Sequence, residues 1–249
     1  MTMRGVLFDM GGTLLHYKPE GKEWEDAEKV GALGVYKRLL EHQHTLPPEA
    51  EAMDKAWAYV CTLWNNLDAY DVKQLKLGHQ LIKVAEQWGI QNLAPELVES
   101  LSEAYMEAIR SHVRPTDGAL ETLQILKAQG YQIGLISNTI WPGQVHLEHM
   151  GYFGLLPYCD DTIFSSDVDA WKPHADIFEM GLKRLNLQAD EAVFVGDSLY
   201  FDVWGAKQSG IRAVWIEQTD LWLPDGIQVV PDASIKRLPE LIDVLDGWQ

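Results

Sequence analysis

Three short apolar runs in this chain end in the same way. Val6-Leu7-Phe8 stops at Asp9, Gln132–Ile136 stops at Ser137-Asn138-Thr139, and Ala192–Val195 stops at Gly196-Asp197-Ser198. Runs this short, rich in branched and aromatic residues, suit strands covered on both faces. Helical spacing of apolar residues predicts helices over Gly118–Gln129, Ala175–Leu185, Val203–Gln208 and Pro239–Leu245, with further strands at Thr162–Phe164 and Ala213–Ile216. Alternation of this kind dictates an α/β fold: a Rossmann-like parallel sheet with right-handed crossovers and helices on both faces. Ligands bind such sheets at the carboxyl ends of the strands, where Asp9, Ser137 and Asp197 all fall.

The stretch from Tyr17 to His112 interrupts this pattern without adding a strand. It divides into four helical segments, Lys22–His44, Pro48–Asn65, Val72–Trp88 and Pro95–His112. Their apolar faces are expected at Val35, Leu39 and Leu40; at Trp57, Val60, Cys61 and Trp64; at Leu77, Leu81, Val84, Ala85 and Trp88; and at Leu97, Leu101, Tyr105, Ala108 and Ile109. Pro47-Pro48 and Ala94-Pro95 mark two of the helix starts, where proline costs least. The expected organisation is an α/β core from residues 1–16 and 113–249 with a helical bundle, 17–112, inserted after the first strand.

Bulk properties narrow the function. A net charge of −17 opposes nucleic acid and anionic membranes, both of which need basic patches. It also means that a phosphate site here needs concentrated local positive charge. No apolar run approaches the roughly 20 residues that span a bilayer. The N-terminus enters a strand without a signal-peptide pattern, and two cysteines, Cys61 and Cys159, make no disulfide framework. The expected setting is the cytoplasm, as a monomer or homodimer acting on a small molecule.

A strand that presents Asp9 at its tip, followed by Met10-Gly11-Gly12-Thr13, delivers a carboxylate able to act as nucleophile or metal ligand. The two glycines free the backbone to turn and let a ligand approach. Taken in order, Asp9, Ser137, Lys172 in Trp171-Lys172-Pro173, and Gly196-Asp197 with Asp202 resemble the four motifs of the haloacid dehalogenase superfamily of hydrolases. The resemblance covers roughly residues 4–16 and 113–217, and the helical insert resembles a C1-type cap, a lid carrying specificity contacts.

The resemblance implies a phosphatase of small phosphorylated metabolites in which Asp9 forms an aspartyl-phosphate. Mg²⁺ would be held by Asp9, the Gly11 carbonyl and Asp197, with Asp202 orienting its water or holding the Ser198 loop. Ser137 and the amide of Asn138 would bond the phosphoryl oxygens, Lys172 would neutralise charge, and Gly11, Gly12 and Thr13 would form the phosphate-side loop. Two positions depart from the pattern. Gly11 stands where such phosphatases usually carry a second, proton-donating aspartate, and Phe201 replaces a polar residue before the last aspartate. Two alternatives therefore stand beside a Mg²⁺-dependent phosphatase: a metal-independent 2-haloacid dehalogenase and a non-catalytic protein of the same fold. His16 is a candidate substitute acid. His146 and His149, at helical spacing but without a third ligand, read as surface or packing residues, while Trp24 and Trp141 are candidates for substrate contact.

Overall fold

The computed structural model describes residues 3–66, 74–218 and 222–248. They form two compact units, Met1–His16 with Arg114–Gln249, and Tyr17–Val113.

In the first unit the strands are β1 (Gly5–Phe8), β2 (Leu15–His16), β3 (Arg114–Pro115), β4 (Gln132–Ser137), β5 (Asp161–Phe164), β6 (Ala192–Gly196), β7 (Arg212–Ile216) and β8 (Ala233–Ile235). Among the described residues six of them make one sheet, ordered β5-β4-β1-β6-β7-β8 and parallel at every pairing. β1 lies inside it, with Phe8 in register with both Leu135 and Val195. After β1 the chain adds β4 and β5 on one side and then crosses to β6, β7 and β8 on the other, which makes the switch point at which open parallel sheets bind ligands. Val6, Leu7 and Phe8 are all essentially inaccessible to solvent, the burial on both faces that their unbroken apolar run requires. One side of the sheet packs Leu7, Ile136 and Phe194 against Ile177 and Phe178.

The first unit's helices are α5 (Ala119–Ala128), α6 (Gly143–Tyr152), α7 (Ala175–Arg184), α8 (Gly205–Gln208) and α9 (Glu240–Asp246), numbered after the four of the insert. Besides the two-residue strands β2 and β3, α6 and β8 escape sequence reading, each for an identifiable reason. The buried residues of α6 are Gly143, His146, His149 and Met150, so polar types occupy its inner face and no apolar stripe appears. β8 is an edge strand of three residues. The helix expected to begin at Val203 begins earlier: a π-helix at Leu199–Trp204 runs directly into α8, and the Ser198 hydroxyl caps it by accepting the Phe201 N–H at 3.1 Å. β2 and β3 pair antiparallel, Leu15 with Pro115 and His16 with Arg114, and tie together the points where the chain leaves and re-enters this unit.

The second unit contains α1 (Trp24–Glu41), α2 (Glu49–Trp64), α3 (Leu77–Gln87) and α4 (Pro95–Arg110). The expected start of α3 at Val72 lies outside the described residues. α1 stops at Glu41 rather than His44 because Gln43 adopts a left-handed φ of 61° and the His44 N–H closes on the Leu39 carbonyl. The inner faces of α3 and α4 fall as expected at Leu77, Leu81, Val84 and Ala85, and at Leu101, Tyr105 and Ile109. Two expectations fail. Leu40 is exposed, and α2 buries Ala52, Met53, Ala56 and Leu63 while Trp64 faces solvent. Small residues on α2 carry the packing because the Trp88 indole reaches down to donate to the Ala52 carbonyl at 2.8 Å. Among the described residues no helix is long and apolar enough to cross a membrane.

Candidate functional site

The carboxyl ends of β1, β4 and β6 bring Asp9, Ser137 and Asp197 to one edge of the sheet. Asp9 continues the ladder, its N–H donating to the Val195 carbonyl at 2.9 Å. Lys172 comes from the irregular segment between β5 and α7, and its ammonium is inaccessible to solvent. It donates to Asp9 Oδ1 and to Asp202 Oδ1, both at 2.7 Å, with the Phe194 ring 5.3 Å away. A buried ammonium bonded to two carboxylates has its desolvation offset by pairing. Burial pulls the Lys172 pKa down, yet Asp202 and Asp9 outweigh it and raise the pKa above the ordinary value.

Asp202 bridges two functions. Its second oxygen accepts the Ser198 N–H at 2.9 Å, so one side chain both holds the Ser198 loop and fixes the ammonium. A Cβ at Gly196 would overlap the Asp202 carboxylate, which explains the glycine before Asp197. Asp197 is partly exposed, and its backbone carbonyl accepts the Trp215 indole N–H at 2.9 Å. Asp9, Asp197 and Asp202 each offer an oxygen, and these lie within 4.8 Å of one another. Burial, opposed by Lys172 and reinforced by Asp202, pushes the Asp9 carboxyl up to about 6. Asp197 rises well above the carboxylate range for the same reason, with Asp9 and Asp202 adding to burial. Three carboxylates thus face one ammonium. An all-oxygen donor set with excess negative charge fits a hard divalent cation such as Mg²⁺.

The two glycines of the loop differ in what they do. Gly12 has φ +86°, and a Cβ there would overlap the Asp197 carboxylate; Gly11 lies outside the left-handed region, and a Cβ there meets no heavy atom within 4 Å. Gly12→Ala should therefore cost about 1–2 kcal/mol from backbone strain alone, while Gly11→Ala should be close to neutral. Thermal unfolding of the two variants side by side checks this, and equal melting temperatures would refute it. Thr13 is fully buried, and its hydroxyl has no hydrogen-bond partner among the described residues.

Asn138 directs its side chain to the backbone of Lys172, and Ser165, a residue the sequence did not single out, does the same for Thr139. Its position one residue past the tip of β5 was the available signal. His146 and His149 are buried, which excludes surface roles. The His146 ring stacks between Trp141 and Phe164, and its Nε2 lies 2.7 Å from the Thr139 hydroxyl. Burial, with His149 beside it, pushes its pKa down to about 3. Trp141, in the loop between β4 and α6, is accordingly a packing residue, whereas Trp24 is exposed on the helical unit. The Nε2 of His16 lies 3.2 Å from the Thr116 hydroxyl. Phe201 stacks on Trp222 with ring centroids 5.8 Å apart.

A family model described as haloacid dehalogenase-like hydrolase matches residues 3–210. A protein of Pyrococcus furiosus named glyceraldehyde 3-phosphate phosphatase is 33% identical over 161 residues, 61% of this chain and 63% of the relative. The match therefore spans less than two thirds of that relative's length. One of the same name from Methanopyrus kandleri is 29% identical over 98% of this chain and 97% of its own length. A 2-haloacid dehalogenase structure from Pseudomonas syringae pv. Tomato DC3000 superposes with a TM-score of 0.72 over the whole of both chains at 24% identity, a likeness of fold alone.

Proposed function

The chain belongs to the haloacid dehalogenase-like hydrolases, and from that membership we propose that it is a Mg²⁺-dependent phosphatase of small phosphorylated metabolites. The acidic cluster carries this reading: Asp9, Asp197 and Asp202 face a single ammonium, so the site has a charge deficit that a divalent cation would fill. The phosphatase names of the two relatives support the same substrate class.

In this reading Asp9 attacks phosphorus, the P–O bond to the leaving group breaks, and water then cleaves the aspartyl-phosphate to phosphate and free carboxylate. A carboxylate nucleophile divides one difficult displacement into two easier ones. Mg²⁺, held by Asp9, Asp197 and the Gly11 carbonyl, would offset the repulsion between carboxylate and phosphoryl group. Lys172 is placed to neutralise charge on Asp9 and on the transferring oxygens, and Ser137 with the Asn138 backbone amide would donate to those oxygens. Asp202 acts through Lys172 and the Ser198 loop. Residues 17–113 serve as the specificity-bearing lid; their insertion between β2 and β3, with the stem closed by that pairing, supports this role. A cytoplasmic setting, in keeping with free Cys61 and Cys159, and a monomeric or homodimeric state complete the proposal.

The test is a metal-supplemented screen of phosphorylated sugars, nucleotides and organic acids. Activity should require Mg²⁺ and vanish in chelator. By calorimetry Asp197→Ala should weaken Mg²⁺ binding at least by the roughly 10–100-fold that loss of an outer-shell partner costs. Turnover of a 2-haloacid in chelator, with no phosphate ester hydrolysed, would favour a metal-independent dehalogenase instead.

A further inference from the structure

Lys172 must hold its ammonium between two carboxylates, yet it sits in an irregular segment after β5, with no strand or helix to fix its backbone. A lysine has four rotatable carbons, so an unanchored root lets the charge wander. Asn138, 34 residues earlier in the chain, supplies the anchor. Its Oδ1 accepts the Lys172 N–H at 2.8 Å, and its Nδ2 donates to the Lys172 carbonyl at 2.8 Å. One primary amide thus satisfies both backbone groups of one residue, as a neighbouring strand would. The loop that carries Asn138 is braced in the same manner. The Ser165 hydroxyl accepts the Thr139 N–H at 2.8 Å and donates to the Thr139 carbonyl at 3.0 Å, and the Ser165 N–H donates to the Ser137 carbonyl at 3.0 Å. The loops after β4 and β5 are stapled twice, once in each direction.

We propose that the side chain of Asn138 is a positioning residue: it fixes the Lys172 backbone, and through it the ammonium between Asp9 and Asp202, and does not itself contact substrate. The kinetic part of the test rests on the phosphatase reading, whereas the structural part does not. Kinetics would compare wild type, Asn138→Ala, Lys172→Met and the double variant on the best substrate of the screen. A displacement of about 1 Å at a reacting group can cost on the order of 10²-fold. Asn138→Ala should therefore lower kcat by up to about that factor with KM little changed. In the Lys172→Met background the same change should cost nothing further, because the anchor then holds no charge. A raised KM, or losses that multiply, would mean that Asn138 acts on substrate directly and would overturn the proposal. Leu245→Ala, in α9, controls for general loosening; if it lowers kcat as much at equal loss of melting temperature, the proposal also fails. A crystal structure of Asn138→Ala decides the matter even if no ester is turned over. The ammonium should have left hydrogen-bond distance of at least one carboxylate, and an unmoved Lys172 would refute the anchor. Should Asn138→Ala not fold, Asn138→Asp, which keeps the acceptor for the Lys172 N–H but turns the donor to its carbonyl into an oxygen that repels it, carries the crystallographic measurement.

Discussion

Asp9→Asn is expected to lower phosphate-ester turnover by on the order of 10⁴-fold or more, as removal of a nucleophile does in other hydrolases, while the fold persists. An amide is no nucleophile, yet it fills the same volume. Lys172 keeps Asp202 as its partner, so the change leaves no buried ammonium alone. The variant should also report the charge state of the site. Asp9 titrates at about 6 in the folded protein against an ordinary 3.8, because burial disfavours its charged form. Between those two values the folded state binds more protons than the unfolded one, so the contribution of Asp9 to stability falls as pH rises from about 4 to about 6 and is constant above. In chelator, Asp9→Asn should therefore gain in melting temperature relative to wild type across that window. Turnover retained in a pure, folded variant would remove Asp9 from the chemistry. A melting difference that ignores pH would mean the carboxyl ionises in the fold as it does in the open chain.

The parallel sheet and its polar strand tips were legible because their signals are local. Val6-Leu7-Phe8, Gln132–Ile136 and Ala192–Val195 carry their burial in their composition, and a polar residue after such a run has little choice but to face the carboxyl edge. What was not legible depends on partners distant in sequence. The lysine is seated by Asn138 and Asp202, each at least 30 residues away from it, and no periodicity encodes such a bond. α6 was hidden because histidines occupy its buried face, where the pairing of His146 with Thr139 and its stacking on Trp141 make a polar residue suitable for a core. In α2 the aromatic residues carry the stronger apolar signal, yet Ala52 and Ala56 pack because they are small. Gly11 and Gly12 read as one turn in sequence. Only the folded chain separates a glycine that the backbone and Asp197 require from one that neither requires.

That separation gives Gly11 its chemical interest. The resemblance to phosphatases of the superfamily leads one to expect an acid there, and the structure offers no steric or conformational reason for its replacement. Departure of an alkoxide needs a proton, and general acid assistance is worth roughly 10²–10⁴-fold. Aryl and acyl phosphates leave without that help. If leaving-group protonation limits turnover, an aryl phosphate should be hydrolysed at least about 10²-fold faster than an alkyl phosphate of similar size, the lower end of that range. Gly11→Asp should then narrow the gap, raising kcat on the alkyl ester by up to roughly 10²-fold, since a side chain at that position meets open space and an ordinary φ. Paired substrates measured on wild type and variant read both effects in one experiment. Equal rates for the two esters on wild type would show that another group already delivers the proton, and His16, whose Nε2 lies 3.2 Å from the Thr116 hydroxyl, would be the first to replace. No turnover of either ester in saturating Mg²⁺ would shift the reading to a non-catalytic protein of this fold. Activity that appears only with Gly11→Asp would locate the loss of catalysis at this one position, with Asp9, Lys172 and Asp202 still assembled around it.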